Sequence, residues 1–305
     1  MTAGPTAEVL AALASRYGVR LEAVREVPGG VANRAFVLGD GLFLRIPRAE
    51  AFARDLRKEV AVIPVARAAG VRTPAIVDFD ATRTLIDAPY LVVERVHATD
   101  LSTTQAAGHE LWQELGSQVA LLHGVSQETP FEGVEHDDGG GDPRPTVERL
   151  ATDGYLDAGT ANWLLAWFDR LARRFPQDEP HVLLHGDLAP QNLLVEDGHL
   201  GALIDWGDAA WGPPGMEFAK LPLDQVAATL PSYNHQYRDQ QGHNREGMEA
   251  AALWYHLSWG LSGITKPPRP PEPHERHWTA PPASRLLGVL RFYAASPPDP
   301  WSALG

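Results

Sequence analysis

The first third of the chain alternates apolar and polar positions at the spacing of short strands. Three such runs lie within residues 21–48, separated by a glycine pair at 29–30 and a Gly-Asp-Gly turn at 39–41, and two more lie within 74–96. This pattern predicts five strands. Residues 50–70 repeat apolar positions at helical spacing, and we expect Pro64 to interrupt that helix late. Residues 1–19 predict an amphipathic first helix.

After residue 96 the period changes from that of strands to that of helices. Residues 108–125, 160–175 and 248–264 carry apolar side chains at helical spacing. Residues 126–145 are polar and glycine-rich, which is typical of a mobile loop or lid, and 265–282 are proline-rich, which indicates an extended connector. We therefore expect an α+β protein with an N-terminal lobe at 1–96 and a larger, mainly helical C-terminal lobe at 97–305.

Composition narrows the class of protein without identifying it. The 305 residues are 44% hydrophobic and 21% charged, which is ordinary for a folded globular chain. The chain has no cysteine, so disulfides, thiolate metal sites and thiol nucleophiles are excluded. No run approaches the roughly 20 apolar residues of a membrane helix, and the N-terminus lacks the pattern of a signal peptide. These features predict a cytoplasmic protein without a membrane partner.

Charge and tryptophan are both unevenly distributed. Lys and Arg number 13 against 11 Asp and Glu up to residue 96, and 13 against 28 after it. An acidic C-terminal part repels nucleic acid and favours a cationic partner, although simple solubility explains it equally well. All nine tryptophans follow residue 111, which favours a large aromatic core in the helical part before it favours a ligand pocket.

The candidate chemistry is concentrated at residues 182–210. A strand or loop carries His185 and Asp187, a turn follows, and a predicted hairpin places Asn192 before its first strand and Asp205 after its second. Asp187 and Asn192 are five residues apart, like the Asp and Asn of the protein-kinase catalytic loop. Phosphoryl transfer needs a carboxylate to orient the acceptor and an oxygen ligand for the metal. Asp187 would orient the attacking hydroxyl and accept its proton.

Asn192 and Asp205 offer the hard oxygen atoms that Mg²⁺ prefers. His185 needs no chemical role, and we expect it to brace the loop by hydrogen bonds. The competing interpretation is an ordinary turn, because Asp and Asn are common turn residues. Further candidate residues, which occur in the same order along the chain as their counterparts in kinases, favour the catalytic interpretation.

Those features precede the hairpin. Gly29 and Gly30 lie between the first two strands, where backbone N–H groups can close over phosphates, although a plain turn would look the same. Arg45 on the third strand occupies the place of the phosphate-binding lysine of kinases, and Glu59 in the following helix is its natural partner. An isolated pair of this kind would usually be a surface ion pair.

Together the segments GGVANRAF, LRIPR, PYLVVERV, LHGDLAPQN and LIDWGDA resemble the aminoglycoside phosphotransferase family, with local similarity to macrolide kinases. The resemblance implies a protein-kinase-like fold whose N-terminal lobe is a five-stranded antiparallel sheet. It also implies a hinge from Glu94 to Val96 that binds the purine, ATP or GTP as co-substrate with Mg²⁺, and an acceptor held by the helical lobe. Arg45 replaces the lysine of well-known members, and it keeps the charge but changes the geometry.

The acceptor is the least defined part of the prediction. An acidic lobe suits an aminoglycoside, and five acids are candidates for contacting its amines: Asp153, Asp157, Asp208, Glu217 and Asp224. Glu217 also suits a bracing role. The aromatic-rich helices would instead suit a macrolide, although their spacing favours core packing.

Three hypotheses follow. The first is an antibiotic O-phosphotransferase that confers resistance, the second a kinase of an amino alcohol or sugar derivative, and the third a catalytically silent nucleotide-binding regulator. A silent regulator would be free to lose the three polar residues of the hairpin region. We expect a small-molecule acceptor, no nucleic acid partner, and a monomer or homodimer.

Overall fold

A five-stranded antiparallel sheet forms from the first third of the chain, as predicted. The structure is a computed structural model that describes residues 5–27, 30, 32–103, 108–128, 133–242, 245–267 and 281–305. The strands are β1 (Val24–Val27), β2 (Asn33–Leu38), β3 (Leu42–Pro47), β4 (Ile76–Asp80) and β5 (Tyr90–Glu94). Their order in the sheet is β1-β2-β3-β5-β4. Consecutive strands pair as hairpins except β3 and β4, because a helix intervenes there in the chain.

Each face of this sheet is covered by one helix. Helix α1 (Ala7–Arg16), capped by Thr6, contributes Leu13 to a cluster that includes Leu44 of β3. Helix α2 (Ala53–Ala68) contributes Leu56 to a second cluster with Phe43. Because side chains alternate along a strand, Arg45 lies on the same face as Phe43, toward α2.

Helix α2 continues through Pro64, so the predicted interruption there is wrong. Pro64 removes one backbone hydrogen bond, but it lies on the exposed side of the helix, where water can hydrate the freed carbonyl group. The opposite side buries Val62 and Ile63 in the large core of the rest of the chain. The burial of that face outweighs the local cost of the proline.

Six helices follow in the described chain: α3 (His109–His123), α4 (Arg144–Thr152), α5 (Ala158–Ala172), α6 (Leu223–Gln241), α7 (Met248–Gly263) and α8 (Pro282–Ala294). The three predicted segments correspond to α3, α5 and α7. Helices α4, α6 and α8 were not predicted, and α4 begins inside the segment 126–145 that was expected to be a loop. Of the predicted loop and connector, 129–132 and 268–280 lie outside the described residues.

Helix packing in this part is close. A Cβ atom on Gly116 of α3 would lie 2.2 Å from Oγ of Ser232, which belongs to α6. Helices α3 and α6 therefore approach at a distance that only glycine permits at this position. Helix α7 is buried on nearly all sides, which explains why its sequence is apolar all round. No helix among the described residues is long and apolar enough to cross a membrane.

Short strands frame the segment that carries the candidate chemistry. They are β6 (Thr99–Asp100), β7 (Val182–Leu184), β8 (Leu193–Glu196), β9 (His199–Leu203) and β10 (Ala210–Gly212). Strands β8 and β9 form an antiparallel hairpin in which Leu193 faces Leu203, and β7 pairs with β10. Trp206, just after this hairpin, is fully buried, as the prediction of an aromatic core requires.

Candidate active site

The β8–β9 hairpin brings Asn192 and Asp205 to the same end. Leu193 pairs with Leu203, and the N–H of Ile204 donates to the carbonyl oxygen of Asn192 at 3.0 Å. Asn192 therefore lies beside the residue that precedes Asp205. Asp205 itself has φ of +71°, in the left-handed region that non-glycine residues rarely adopt.

His185 braces the loop before the hairpin, in the role expected for it. Its Nε2 donates to the carbonyl of Ile204 at 3.0 Å, and its Nδ1 accepts the N–H of Asp187 at 3.3 Å. The imidazole is fully buried against Trp206. One side chain thus ties the catalytic candidate Asp187 to the strand that ends at Asp205.

Gly186 is required because the loop passes against the turn that follows Asp205. Its φ is +79°, and a Cβ atom there would lie 2.1 Å from the carbonyl oxygen of Asp208. No L side chain fits at that separation. The glycine between His185 and Asp187 is therefore a consequence of how closely these two segments pack.

Asp187 is buried and held on both carboxylate oxygens. Nδ2 of Asn192 donates to Oδ2 at 2.7 Å and to the Asp187 carbonyl at 2.8 Å. Nζ of Lys220, at the end of the 3₁₀ helix Pro214–Lys220, donates to Oδ1 at 2.5 Å. The amide nitrogen of Asn192 is thus engaged with Asp187, which leaves its oxygen as the atom for a metal.

Arg45 connects the sheet to Asp205. Its Nη1 donates to Oε2 of Glu59, and its Nη2 donates to Oδ1 of Asp205 at 2.6 Å. The side chain of Glu59 is 2% exposed, whereas that of Asp205 is 32% exposed. The guanidinium therefore bridges a buried carboxylate and one that faces the cleft.

Burial shifts the pKa values of both Glu59 and Arg45. Burial raises the pKa of Glu59 to about 8, against the attraction of Arg45, and the negative charge of Asp205 adds to the rise. Burial also opposes the charge of Arg45, but the carboxylates of Asp205 and Glu59 more than offset it and raise the pKa of the guanidinium. With Glu59 protonated, the single positive charge of Arg45 is matched by the carboxylate of Asp205.

A cavity of about 640 Å³ lies between the sheet and the hairpin. Five of the predicted nucleotide-binding residues and one metal candidate line it: Gly30, Arg45, Glu59, Glu94, Val96 and Asp205. Gly29 lies outside the described residues. The cavity has the size and the position expected of a small-molecule cleft.

The backbone at the predicted hinge leaves one donor for a ligand. The N–H of Glu94 donates to Ala75 and that of Arg95 to Gly41, at 2.9 and 2.8 Å. In the described chain no backbone carbonyl accepts the N–H of Val96. Val96 lines the cavity, so its N–H is a candidate donor to a ligand there.

The donor set fits Mg²⁺ rather than a metal held by protein alone. The described residues include no group of three or more His, Asp or Glu side chains placed to bind a metal. Asn192 and Asp205 offer one amide oxygen and one carboxylate side by side. Mg²⁺ usually takes only one or two ligands of this kind when phosphates and water supply the others.

Glu217 lies beneath the loop rather than in an open acceptor pocket. Its side chain is fully buried, and its carboxylate accepts the backbone N–H groups of His185 and Gly186 at 2.7 and 3.2 Å. Burial alone would raise its pKa, but His123, 3.6 Å away, and the His185 N–H keep that pKa below its ordinary value. Glu217 braces the loop that carries Asp187.

The other four acidic candidates for acceptor binding are dispersed. Asp208 is exposed, with Oδ2 lying 3.6 Å from Nζ of Lys220. Asp157 caps α5 by accepting the N–H of Thr160, Asp153 follows α4, and Asp224 lies in the first turn of α6. In the part of the chain that is described, these three form no hydrogen bond or ion pair with Asp187 or Lys220.

Lys220 is the residue that sequence reasoning missed. Its direct neighbours in the sequence, Phe218-Ala219 and Leu221, are apolar. A cation with apolar neighbours on both sides indicates a half-buried side chain that has a specific partner. Nothing in the spacing shows that the partner is Asp187, 33 residues earlier.

Comparison with known families and structures places this arrangement in context. Residues 23–254 match the model of the phosphotransferase enzyme family. A homoserine kinase of Phenylobacterium zucineum (strain HLK1) is 33% identical over 95 residues, a segment that covers 31% of this chain and 29% of that protein. The chain therefore matches under a third of that curated relative.

Solved structures share the fold at low identity. The GDP complex of aminoglycoside 2'-phosphotransferase-IIIa superposes with a TM-score of 0.59 at 19% identity, covering 79% of this chain and 84% of that one. A macrolide 2'-phosphotransferase from Brachybacterium faecium gives a TM-score of 0.61 at 19% identity, covering 84% and 90%. The expected protein-kinase-like α+β fold is confirmed.

Proposed function

The chain belongs to the phosphotransferase enzyme family, and from that premise we propose that it transfers the γ-phosphoryl group of ATP or GTP to a hydroxyl group of a small molecule. One observation carries the proposal. The hairpin end that holds Asp187, Asn192 and Asp205 is joined to the Arg45–Glu59 pair through the 2.6 Å contact between Arg45 and Asp205. Arg45, Glu59 and Asp205 line one cleft, and Asp187 and Asn192 lie in the segment that leads into the same hairpin.

Asp187 is the proposed base. It orients the acceptor hydroxyl, whose oxygen forms a bond to the γ-phosphorus while the bond to the bridging oxygen of the nucleotide breaks and a nucleoside diphosphate leaves. The hydroxyl proton passes to the Asp187 carboxylate late in this step. Asn192 fixes the orientation of the carboxylate, and Lys220 supplies positive charge beside the forming bond.

Arg45 is the proposed phosphate-binding cation, held in place by Glu59. Gly30 lies at the same cleft, where Nε of Arg48 donates to its carbonyl oxygen at 3.3 Å. Glu94 and Val96 form the proposed purine hinge. The amide oxygen of Asn192 and the carboxylate of Asp205 would hold Mg²⁺, which neutralises phosphate charge in the transfer step.

The acceptor proposed from the sequence is an antibiotic, an aminoglycoside first and a macrolide second, with resistance as the outcome. The names of the structural neighbours support that class. The second candidate is a hydroxylated metabolite, and the homoserine kinase match supports it. The contacts around Asp187 favour the metabolite, because Glu217 is buried and Asp208 is, among the described residues, the only one of the proposed amine-binding acids that pairs with Lys220 beside Asp187. A silent regulator remains the third alternative.

The proposed setting is a cytoplasmic monomer or homodimer without a nucleic acid partner, in which residues 1–96 bind the nucleotide and 97–305 bind the acceptor. A direct test supplies Mg²⁺ with ATP or GTP and follows transfer of labelled γ-phosphate to aminoglycosides, macrolides and small hydroxylated metabolites. Transfer to any of them supports the proposed function. Nucleotide binding without transfer to any acceptor supports the silent regulator instead.

A further inference from the structure

Two cations lie around one indole ring beside the proposed base. Nζ of Lys220 is 5.7 Å from the centroid of Trp259, and Cζ of Arg285 is 5.9 Å from the same centroid. Nη1 of Arg285 also donates to the carbonyl of Ala219, the residue before Lys220. Because Lys220 contacts Asp187 directly, this basic corner adjoins the place where the acceptor hydroxyl must lie.

In the part of the chain that the structure describes, the guanidinium of Arg285 has no carboxylate partner. Among the described residues, no Asp or Glu oxygen lies within ion-pair distance of its guanidinium, whereas Lys220 is shared by Asp187 and Asp208. Burial lowers the pKa of Arg285, so its charge is held in an unfavourable environment. Arg285 also lies at the fourth residue of α8, near the positive end of the helix dipole, where a cation is disfavoured.

The nearby histidine, His256, adds no further positive charge to this corner. Nε2 of His256 donates to the carbonyl of Phe218, and burial together with Arg285 lowers the pKa of its imidazole to about 3. His256 is therefore neutral at physiological pH. His256 donates a hydrogen bond to the carbonyl of Phe218, near the end of the helix Pro214–Lys220, and Arg285 donates one to the next carbonyl, that of Ala219. Neutral amide donors would meet the same need at a lower desolvation cost.

We propose that this basic corner, formed by Lys220, Trp259 and Arg285, binds a carboxylate group of the acceptor, so that the substrate is a small hydroxy acid rather than a polyamine. A guanidinium fork matches the two oxygens of a carboxylate. The hydroxyl of the same molecule would reach Asp187 past Lys220. This inference rests on the proposed function and defines the chemical class of its acceptor.

The test compares acceptors that differ only in the carboxylate. L-Homoserine and 3-aminopropan-1-ol share the hydroxyl and amine, as do L-serine and ethanolamine, and kanamycin serves as the polycationic acceptor. Initial rates with saturating Mg²⁺ and ATP give kcat and KM for each. We expect kcat/KM to be about 10- to 100-fold higher for at least one hydroxy acid than for its analogue without the carboxylate. This ratio corresponds to about one charged hydrogen-bonded contact.

The variant Arg285→Gln keeps a donor for the Ala219 carbonyl but removes the charge. We expect it to raise KM for the hydroxy acid by about 10- to 100-fold with little change in kcat. KM for the analogue without the carboxylate should change much less. Arg291→Gln, on the exposed side of the same helix, is the matched control and should change neither value. Equal losses for both acceptors would show that Arg285 only supports the fold.

Failure of the inference can be separated from failure of the proposed function. Turnover of kanamycin or of the amino alcohols in preference to the hydroxy acids overturns the inference and keeps the kinase. Calorimetry separates the outcomes when no acceptor is turned over. A chain that binds the nucleotide and the hydroxy acid but transfers no phosphate keeps the carboxylate site and overturns the kinase, whereas a chain that binds the nucleotide alone overturns both. A chain that binds neither ATP nor GTP and transfers phosphate to no acceptor overturns the proposed function.

Discussion

Nζ of Lys220 lies 2.5 Å from Oδ1 of Asp187, while the opposite carboxylate oxygen accepts a hydrogen bond from Asn192. The proposed base is therefore oriented from both sides before any substrate binds. Only 6% of the Asp187 side chain is exposed, so water competes little for these contacts. A carboxylate held in this way loses little further freedom in the transition state.

Replacement of Asp187 by Asn should remove the proton acceptor while leaving the nucleotide site intact. We expect kcat to fall by about 10²- to 10⁴-fold, because the amide cannot take the hydroxyl proton. The dissociation constant of ATP, measured by calorimetry, should change by less than about twofold, since Asp187 lies outside the nucleotide cavity. Retention of full turnover would remove Asp187 from its proposed role.

Replacement of Lys220 by Met should lower the rate through lost charge. The methionine keeps most of the apolar stem against Trp259 but no longer faces the Asp187 carboxylate. We expect kcat to fall by about 10²-fold with little change in KM for ATP, and Lys220→Arg to recover part of the loss. Lys266→Met, at an exposed site, is the control. A Met variant with the kcat of the unmodified enzyme would contradict the role of Lys220.

Replacement of Gly186 by Ala tests the close contact beneath the catalytic loop. The new Cβ would meet the Asp208 carbonyl at 2.1 Å, so the loop must shift, and we expect a loss of about 3 kcal/mol or more in unfolding free energy together with most of the activity. Gly198→Ala is the matched control. It has a φ of +84° but no atom within 4 Å of the new Cβ, so it should cost only about 1 kcal/mol. Equal losses of stability and activity in the two variants, measured by urea unfolding and turnover, would contradict the contact.

The buried carboxyl of Glu59 should make the stability of the nucleotide-free protein depend on pH. Its pKa in the folded chain is about 8, above the ordinary value of 4.5, so between these values the folded state holds a proton that the unfolded state has released. Stability from this group is present below the lower value and is lost as the pH rises through the upper one.

Urea unfolding at about pH 5.5, 7 and 8.5 measures this dependence. The unmodified protein should lose more unfolding free energy across that range than Glu59→Gln does, because the amide does not titrate. Parallel profiles for the two proteins would show that Glu59 is ionised throughout, with its charge matched by Arg45.

Local sequence patterns predicted most of the elements correctly. The five strands follow from period-two alternation and turn residues, and α3, α5 and α7 follow from apolar residues at helical spacing. Pro64 was misread because its effect depends on which side of α2 faces water, and that is a property of the packed molecule. Helix α4 was missed because its 9 residues, with only Val147 and Leu150 buried, are too few to show a repeat.

The sequence by itself determined the hairpin that carries Asp187, Asn192 and Asp205, because these residues fall within one short segment whose pairing is set by alternation and a turn. It also suggested Arg45 and Glu59 through their order along the chain. Only the tertiary structure showed Lys220 against Asp187 and Arg285 beside it, and only the tertiary structure placed Glu217 beneath the loop. Contacts between residues far apart in the chain depend on how helices and loops pack, and no local periodicity records that packing.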